Sequence, residues 1–181
     1  MIIYVWPAGK LRSGRIRWPA RTARCAIGRG GIKADKQEGD GVTPVGLFPL
    51  RRVFYRSDRL AKPQTALPVV TLNPHDGWCD APIHPAYNTL IKRPFSARHE
   101  RLWRNDSRYD LIVEVGYNDD PVTPSHGSAI FMHNAHPRYR PTAGCVALAQ
   151  ADLLALLRQC GRRTMLSIGH RFYSGSILGC H

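Results

Sequence analysis

Ile130-Phe131-Met132-His133-Asn134-Ala135-His136-Pro137-Arg138-Tyr139-Arg140-Pro141-Thr142-Ala143-Gly144-Cys145-Val146-Ala147-Leu148 is the most informative stretch of this sequence. Ala129 to Met132 reads as a buried strand that delivers His133 at its end. A loop rich in Pro, Arg and Tyr follows, and the chain re-enters an apolar run at Cys145, directly after Gly144. A cysteine attacks as thiolate, and its unperturbed pKa of about 8.5 leaves little thiolate at neutral pH. A neighbouring imidazole can take that proton and hold the resulting ion pair. A loop of this length can turn back and set the two strand ends side by side. Gly144 lets the backbone come close to a substrate, and the amides around Gly144 and Cys145 can point at a developing oxyanion. Plainer readings stand beside this one. A cysteine after glycine in an apolar run often only packs, and a histidine at a strand end is often a satisfied polar residue. A zinc site on His133, His136 and Cys145 lacks an obvious fourth ligand and any C-x-x-C pair.

Outward from this stretch, the pattern is that of short strands. Leu111 to Val115 reads as a strand, and Gly116 to Pro121 as a turn. Gly39 to Leu50 opens with turn residues and runs into an alternating strand with Val53 and Tyr55. Ile2 to Val5 is a further apolar run. Ile16, Trp18, Cys25, Ala26 and Ile27 punctuate a basic segment that reads as the next strands, closed by the turn Gly28 to Gly31. That turn lacks the spacing and Lys-Ser/Thr ending of a phosphate-binding loop. Residues 56–108 carry several prolines and little periodicity, which predicts long loops with short elements. Residues 150–160 form the one strong helical pattern. Leu153, Leu154, Leu156, Leu157 and Cys160 lie on one stripe, Asp152 and Arg158 complement the helix dipole, and Gly161 stands as the C-cap. Thr164 to Ile168 reads as a last strand, and Ser174 to His181 as a loose tail. The expected fold is mostly β, β-rich mixed α/β, with one main helix after Cys145. Residues 1–181 read as a single domain.

Composition bounds the function. With 43% hydrophobic and 22% charged residues the chain is globular in type. The formal net charge is +13, and residues 1–60 hold 13 basic against 4 acidic groups. A basic field attracts nucleic acid, anionic lipid or acidic wall peptides. No zinc-finger, RRM or KH signature and no regular aromatic series is present, which argues against nucleic acid as a partner. The five cysteines, Cys25, Cys79, Cys145, Cys160 and Cys180, are odd in number and scattered, a poor disulfide framework. No stretch approaches the roughly 18 apolar residues of a membrane span. Ile2 to Val5 is too short for the core of a secretory leader. A cytoplasmic location is therefore expected, or a periplasmic one if a leader has been removed.

The pattern as a whole resembles the YkuD-type L,D-transpeptidase family. Members end a strand in an apolar-His-Gly element and, after a loop, carry Ser/Thr-x-Gly-Cys-apolar. The matching residues are Met132-His133 and Thr142-Ala143-Gly144-Cys145-Val146. An upstream Thr-Pro-x-Gly-x-Phe element stands as Thr43-Pro44-Val45-Gly46-Leu47-Phe48. The resemblance covers roughly residues 15–169. It implies a sandwich-like β catalytic domain and attack by Cys145 on an L-to-D peptide bond, typically diaminopimelate–D-Ala in a peptidoglycan stem tetrapeptide. His133 would be base and then acid, oriented by the backbone carbonyl of Asn134. Neither metal nor organic cofactor is implied. Three positions depart from the family pattern. Asn134 replaces Gly, Ala143 stands where His is frequent, and Ala147 stands where an Arg or Asn helps hold substrate. Arg138 and Arg140 are the expected replacement anchors, since arginine grips carboxylates bidentately. Thr142 and Tyr117 are expected beside the substrate, with Trp78 as a further wall of the cleft; the plainer reading of Tyr117 and Trp78, core or loop packing, stands beside this and is the stronger.

The thioester can pass to an amine, which gives a cross-link or exchanges a D-amino acid, or to water, which makes an L,D-carboxypeptidase. The expectation is hydrolysis of soluble muropeptides in recycling, with periplasmic transpeptidation as the alternative. Two readings of another class remain: a basic nucleic-acid-binding protein, and a catalytically dead muropeptide-binding module.

Overall fold

In the computed structural model, residues 1–9 and 12–169 are described. The expected tail, Ser174 to His181, lies outside them. The chain is mostly β. In order it runs through β1 (Ile2–Pro7), β2 (Ser13–Trp18), β3 (Arg21–Ala26), β4 (Ile32–Lys33), β5 (Thr43–Pro44), β6 (Gly46–Tyr55) and β7 (Val69–Thr71). It continues through β8 (Asp76–Cys79), β9 (Leu90–Lys92), β10 (His99–Arg101), a 3₁₀ turn (Ser107–Tyr109) and β11 (Leu111–Val115). β12 (Phe131–Asn134), β13 (Val146–Leu148), α1 (Gln150–Leu157) and β14 (Met165–Ile168) complete it.

The main sheet has nine strands in the order β11-β12-β13-β3-β2-β1-β14-β6-β7. β6 also pairs with β11, so eight of these strands close on themselves and β7 lies outside on β6. The two halves of the sandwich implied by the resemblance are thus joined along both edges, and closure leaves few open strand edges.

Strand alternation sorts side chains to two sides of this ring. Val53, Tyr55, Leu111, Val113, Met132, Val146 and Leu148 point inward to the main core, together with Trp18 and Ile168. Leu153, Leu156 and Leu157 of α1, all fully buried, pack into the same core. Phe54, Ile112, Phe131 and Cys145 point the other way. There they form a second cluster with Leu72, Trp78, Leu102 and Tyr109. That outer face is covered by the small sheet β10-β8-β9 and the 3₁₀ turn. Of the stretch 130–148, Phe131 and Cys145 therefore face not the main core but a seam between two layers, while Met132, Val146 and Leu148 fill the core.

Three expectations need correction. β12 spans Phe131 to Asn134, so His133 lies within the strand rather than just past an Ala129–Met132 strand. Parallel pairing with β13 extends to Asn134↔Leu148, which draws His133 and Asn134 into the ladder. α1 ends at Leu157 with Arg158 as C-cap, three residues before Gly161. The Gly161 amide instead bonds Thr164 Oγ1 at 2.9 Å, closing a separate turn that leads into β14. Cys160 is nevertheless buried in the core, as the apolar stripe predicts.

Candidate active site

Cys145 immediately precedes β13, and β13 runs parallel to β12 with Met132↔Val146 and His133↔Ala147 in register. Residues two apart on a strand share a face. Phe131, His133, Cys145 and Ala147 are therefore brought to one side, and His133, Cys145 and Ala147 line a cleft of about 740 Å³. Its walls come from the small sheet, the 3₁₀ turn, and the loops before β5 and β13.

The His133 ring is buried, and its Nδ1 lies 2.9 Å from Asn134 O. A carbonyl only accepts, so Nδ1 carries the proton and Nε2 is the basic nitrogen. Burial pulls the imidazole pKa down to about 4; nearby Arg108 and Arg104 act in the same direction, while the bond to Asn134 O opposes them. Burial likewise pushes the Cys145 thiol up to about 12, with Glu100 adding to the rise. The amide of Phe131 donates to Sγ at 3.4 Å, and the thiol donates to Ala129 O at 3.2 Å. The resting pair is thus a neutral thiol beside a neutral imidazole. At rest the thiol proton is committed to Ala129 O. Tyr109 closes the back of the pair: its ring meets His133 edge-on at 5.1 Å, and its hydroxyl donates to Glu100 Oε1 at 2.6 Å. Among the described residues no group of three or more His, Cys, Asp and Glu side chains is arranged to hold a metal ion.

The turn that carries Cys145 is held by two threonines. Thr142 Oγ1 donates to Cys145 O at 2.6 Å and accepts from Gly144 N at 3.1 Å. Thr43 Oγ1 accepts from Gly28 N and donates to Gly144 O, both at 2.8 Å. The upstream Thr-Pro element thus reaches across the chain to pin the Gly144 carbonyl. Gly144 itself has φ +143°, and a Cβ there would stand 2.9 Å from Val42 O, so only glycine fits. Thr43→Val keeps the shape but strips two buried backbone groups of their partner. We expect a loss of about 2–4 kcal/mol in denaturant-measured stability.

The other expected site residues divide. Arg140 lines the cleft, whereas Arg138 is exposed and is not among the lining residues. His136 Nδ1 accepts from the Arg138 amide at 3.1 Å, and the intervening Tyr139 is in the left-handed region, φ +50°. Thr142 borders the cleft, but its hydroxyl is committed to the backbone of the turn, so it shapes the site rather than offering a substrate contact. The Gly144 amide is likewise engaged by Thr142, which removes one of the two oxyanion donors the sequence suggests, the other being the Cys145 amide. Tyr117 is not a cleft residue. Its ring packs edge-on against Phe48 at 5.4 Å and its hydroxyl donates to His126 O at 2.5 Å, on the far side of β11. Trp78 stands behind the wall, edge-on to Phe131 at 5.0 Å, with its indole N–H on Asn88 Oδ1. Cys79 is buried in the small sheet, away from the cleft lining. The Asn134 side chain bridges Ser107 O at 2.9 Å and Gln150 Oε1 at 3.1 Å, and so ties the 3₁₀ turn bearing Tyr109 to α1. A glycine at that position could not make this tie.

Sequence reading missed Arg29, Lys36, Glu38, Glu100 and Tyr109 as cleft residues. The Lys36-Gln37-Glu38-Gly39-Asp40 segment directly upstream of Thr43 was the available signal for two of them.

A strand-borne histidine and a cysteine on an adjoining turn, set into the seam of a closed β domain, define the class: a cysteine-dependent acyl-transfer enzyme. The family model for the L,D-transpeptidase catalytic domain, YkuD, matches residues 3–168. The chain belongs to the YkuD family, whose members act on peptidoglycan. No curated protein and no solved structure matches it.

Proposed function

We propose that this enzyme cleaves the diaminopimelate–D-Ala bond of peptidoglycan stem tetrapeptides, with Cys145 as nucleophile, His133 as base and water as the favoured acceptor. Cys145 Sγ adds to the carbonyl carbon of the L-to-D bond while its proton passes to His133 Nε2. The tetrahedral adduct collapses, the C–N bond breaks, and D-Ala leaves carrying that proton. The thioester is then attacked by water, which gives its proton to His133; the tripeptide leaves and the thiol is restored. One observation carries this reading: Cys145 and His133 line one cleft from the same face of paired β12 and β13, with His133 Nδ1 tied to Asn134 O so that Nε2 is left as the basic nitrogen.

The charge of the cleft supports water over an amine. Arg29, Lys36, Arg98, Arg104, Arg108 and Arg140 line it against Glu38, Asp80, Glu100 and Asp106. Among the described residues Arg29 and Arg140 have no carboxylate partner, and the bridge Gly28↔Thr142 sets their two loops side by side. An acidic donor peptide is drawn into such a field, and a protonated amine acceptor is repelled. Arg29 and Arg140 are the proposed anchors for its carboxylates, in place of the residue missing at Ala147. Transpeptidation is the second reading and belongs to the same family chemistry.

The test is mass spectrometry of a diaminopimelate tetrapeptide incubated with the protein, with and without excess D-methionine. The expected result is net loss of D-Ala unaffected by D-methionine. Exchange of D-Ala for D-methionine would replace the carboxypeptidase reading with a transpeptidase one. No turnover under either condition would contradict the proposed substrate.

A further inference from the structure

Lys36 stands out among the cleft cations because it is buried: 3% of its side chain is exposed, although most lysines reach solvent. It sits in the loop between β4 and β5, held by Asp40 Oδ1 at 2.9 Å, with a weaker bond from Nζ to Gln37 O at 3.4 Å. Asp40 is itself fixed from behind. Oδ2 accepts from Gln37 N at 2.7 Å and Oδ1 from Val42 N at 2.8 Å, and with Lys36 these bonds hold the carboxyl below its usual range against the opposing effect of burial. A buried ion pair contributes little net stability, so its placement needs another reason. Gly127 makes room for it, and Gly144 lies at ordinary van der Waals distance from its ammonium. A Cβ on Gly127 would stand 2.6 Å from Lys36 Cε, and one on Gly144 would stand 3.6 Å from Nζ. The ammonium therefore lies against the Gly144–Cys145 turn and within the cleft.

The surroundings of Cys145 give that charge a task. Glu100 from β10 and Tyr109 from the 3₁₀ turn face the sulfur, and His133 shares its floor. Glu100 acts against a thiolate, whereas the Tyr109 hydroxyl and Lys36 act for it. The Gly144 amide, one of the two expected oxyanion donors beside that of Cys145, is occupied by Thr142. A site that must develop negative charge on sulfur and then on the carbonyl oxygen thus has one donor committed elsewhere and one buried cation beside it.

We propose that Lys36 is the electrostatic positioning residue of this site, stabilising the negative charge that develops at Cys145, with Asp40 setting how much of its charge is felt. This rests on Cys145 being the nucleophile. The arrangement resembles a preorganised dipole in its economy, since the cation is fixed before reaction and need not reorganise.

The experiment is the pH dependence of Cys145 alkylation by iodoacetamide, read by peptide mapping, which needs no peptidoglycan substrate. Lys36→Gln should slow the reaction near neutrality by roughly tenfold, because less of the thiol is ionised without the ammonium. Lys36→Arg should restore most of the difference. Asp40→Asn should act in the opposite direction, lowering the apparent pKa, because the ammonium is no longer neutralised. A merely structural pair would give both variants the same sign. With the tetrapeptide, Lys36→Gln should lower kcat more than it raises KM. Unchanged alkylation in folded Lys36→Gln, or slower alkylation in Asp40→Asn, would overturn the proposal. If Lys36→Gln does not fold, the sign seen with Asp40→Asn decides alone. Failure of the underlying reading looks different: D-Ala release would then survive in Cys145→Ala.

Discussion

Cys145→Ala should abolish D-Ala release from a stem tetrapeptide, with kcat falling on the order of 10⁴–10⁶-fold, the scale for loss of a nucleophile that acts as one unit with its base. The fold should survive. Cys145 is 6% exposed and makes two weak sulfur hydrogen bonds, to the Phe131 amide and the Ala129 carbonyl, so alanine leaves only a small void. A matched denaturation curve would separate lost chemistry from lost structure. Cys145→Ser should behave almost as badly. The hydroxyl fits, but a neutral imidazole held near pKa 4 is a weak base for an alcohol. Substantial release by either folded variant would assign the chemistry to another residue.

His133→Gln should lower kcat by about 10²–10⁴-fold, the usual worth of a positioned general base. It should also change how stability depends on pH. An imidazole whose folded pKa lies near 4 and whose unfolded value is about 6.5 takes up a proton on unfolding, so acid favours the unfolded chain. The wild-type protein should therefore lose up to about 3 kcal/mol as pH falls from about 6.5 to about 4. Above that window the histidine contributes no slope. Glu100 and Glu114, both raised by burial, act with the opposite sign, so the measurement is the difference between wild type and His133→Gln in urea titrations across the window. Relative to the variant, the wild-type protein should lose up to about 3 kcal/mol as pH falls through the window. Parallel profiles would mean that His133 is not held neutral in the folded protein.

Much of this was legible in the sequence because its signals are local. Leu111 to Val115 is a strand in both sequence and structure, and the Val53/Tyr55 alternation places both side chains in the main core. The helix after Cys145 was legible from its leucine spacing, but its end was not. Gly161 looks like a C-cap, yet a threonine three residues on competes for its amide. The juxtaposition of His133 and Cys145 comes from β12 and β13 lying side by side in parallel, so the segment between them must carry the chain back along the sheet before Cys145, which no local turn signal specifies. What the sequence concealed depends on tertiary packing. Residues 56–108 yield three-residue strands too short for any period to show, yet they build the wall of the cleft. Lys36 and Glu100 read as ordinary surface charges, and only the layers folded over them make them cleft residues. Tyr117 and Arg138 erred in the other direction. Tyr117 follows the end of β11 and packs on Phe48, and the turn at Tyr139 leaves Arg138, on the loop before Cys145, outside the cleft.

That Cys145 is the acylated nucleophile is tested most directly by the intact mass of the protein after exposure to a carbapenem, followed by peptide mapping. One adduct per chain, on the peptide containing Cys145 and absent from Cys145→Ala, is the predicted result. An unmodified wild-type protein, or an adduct on Cys79 or Cys160 instead, would contradict it.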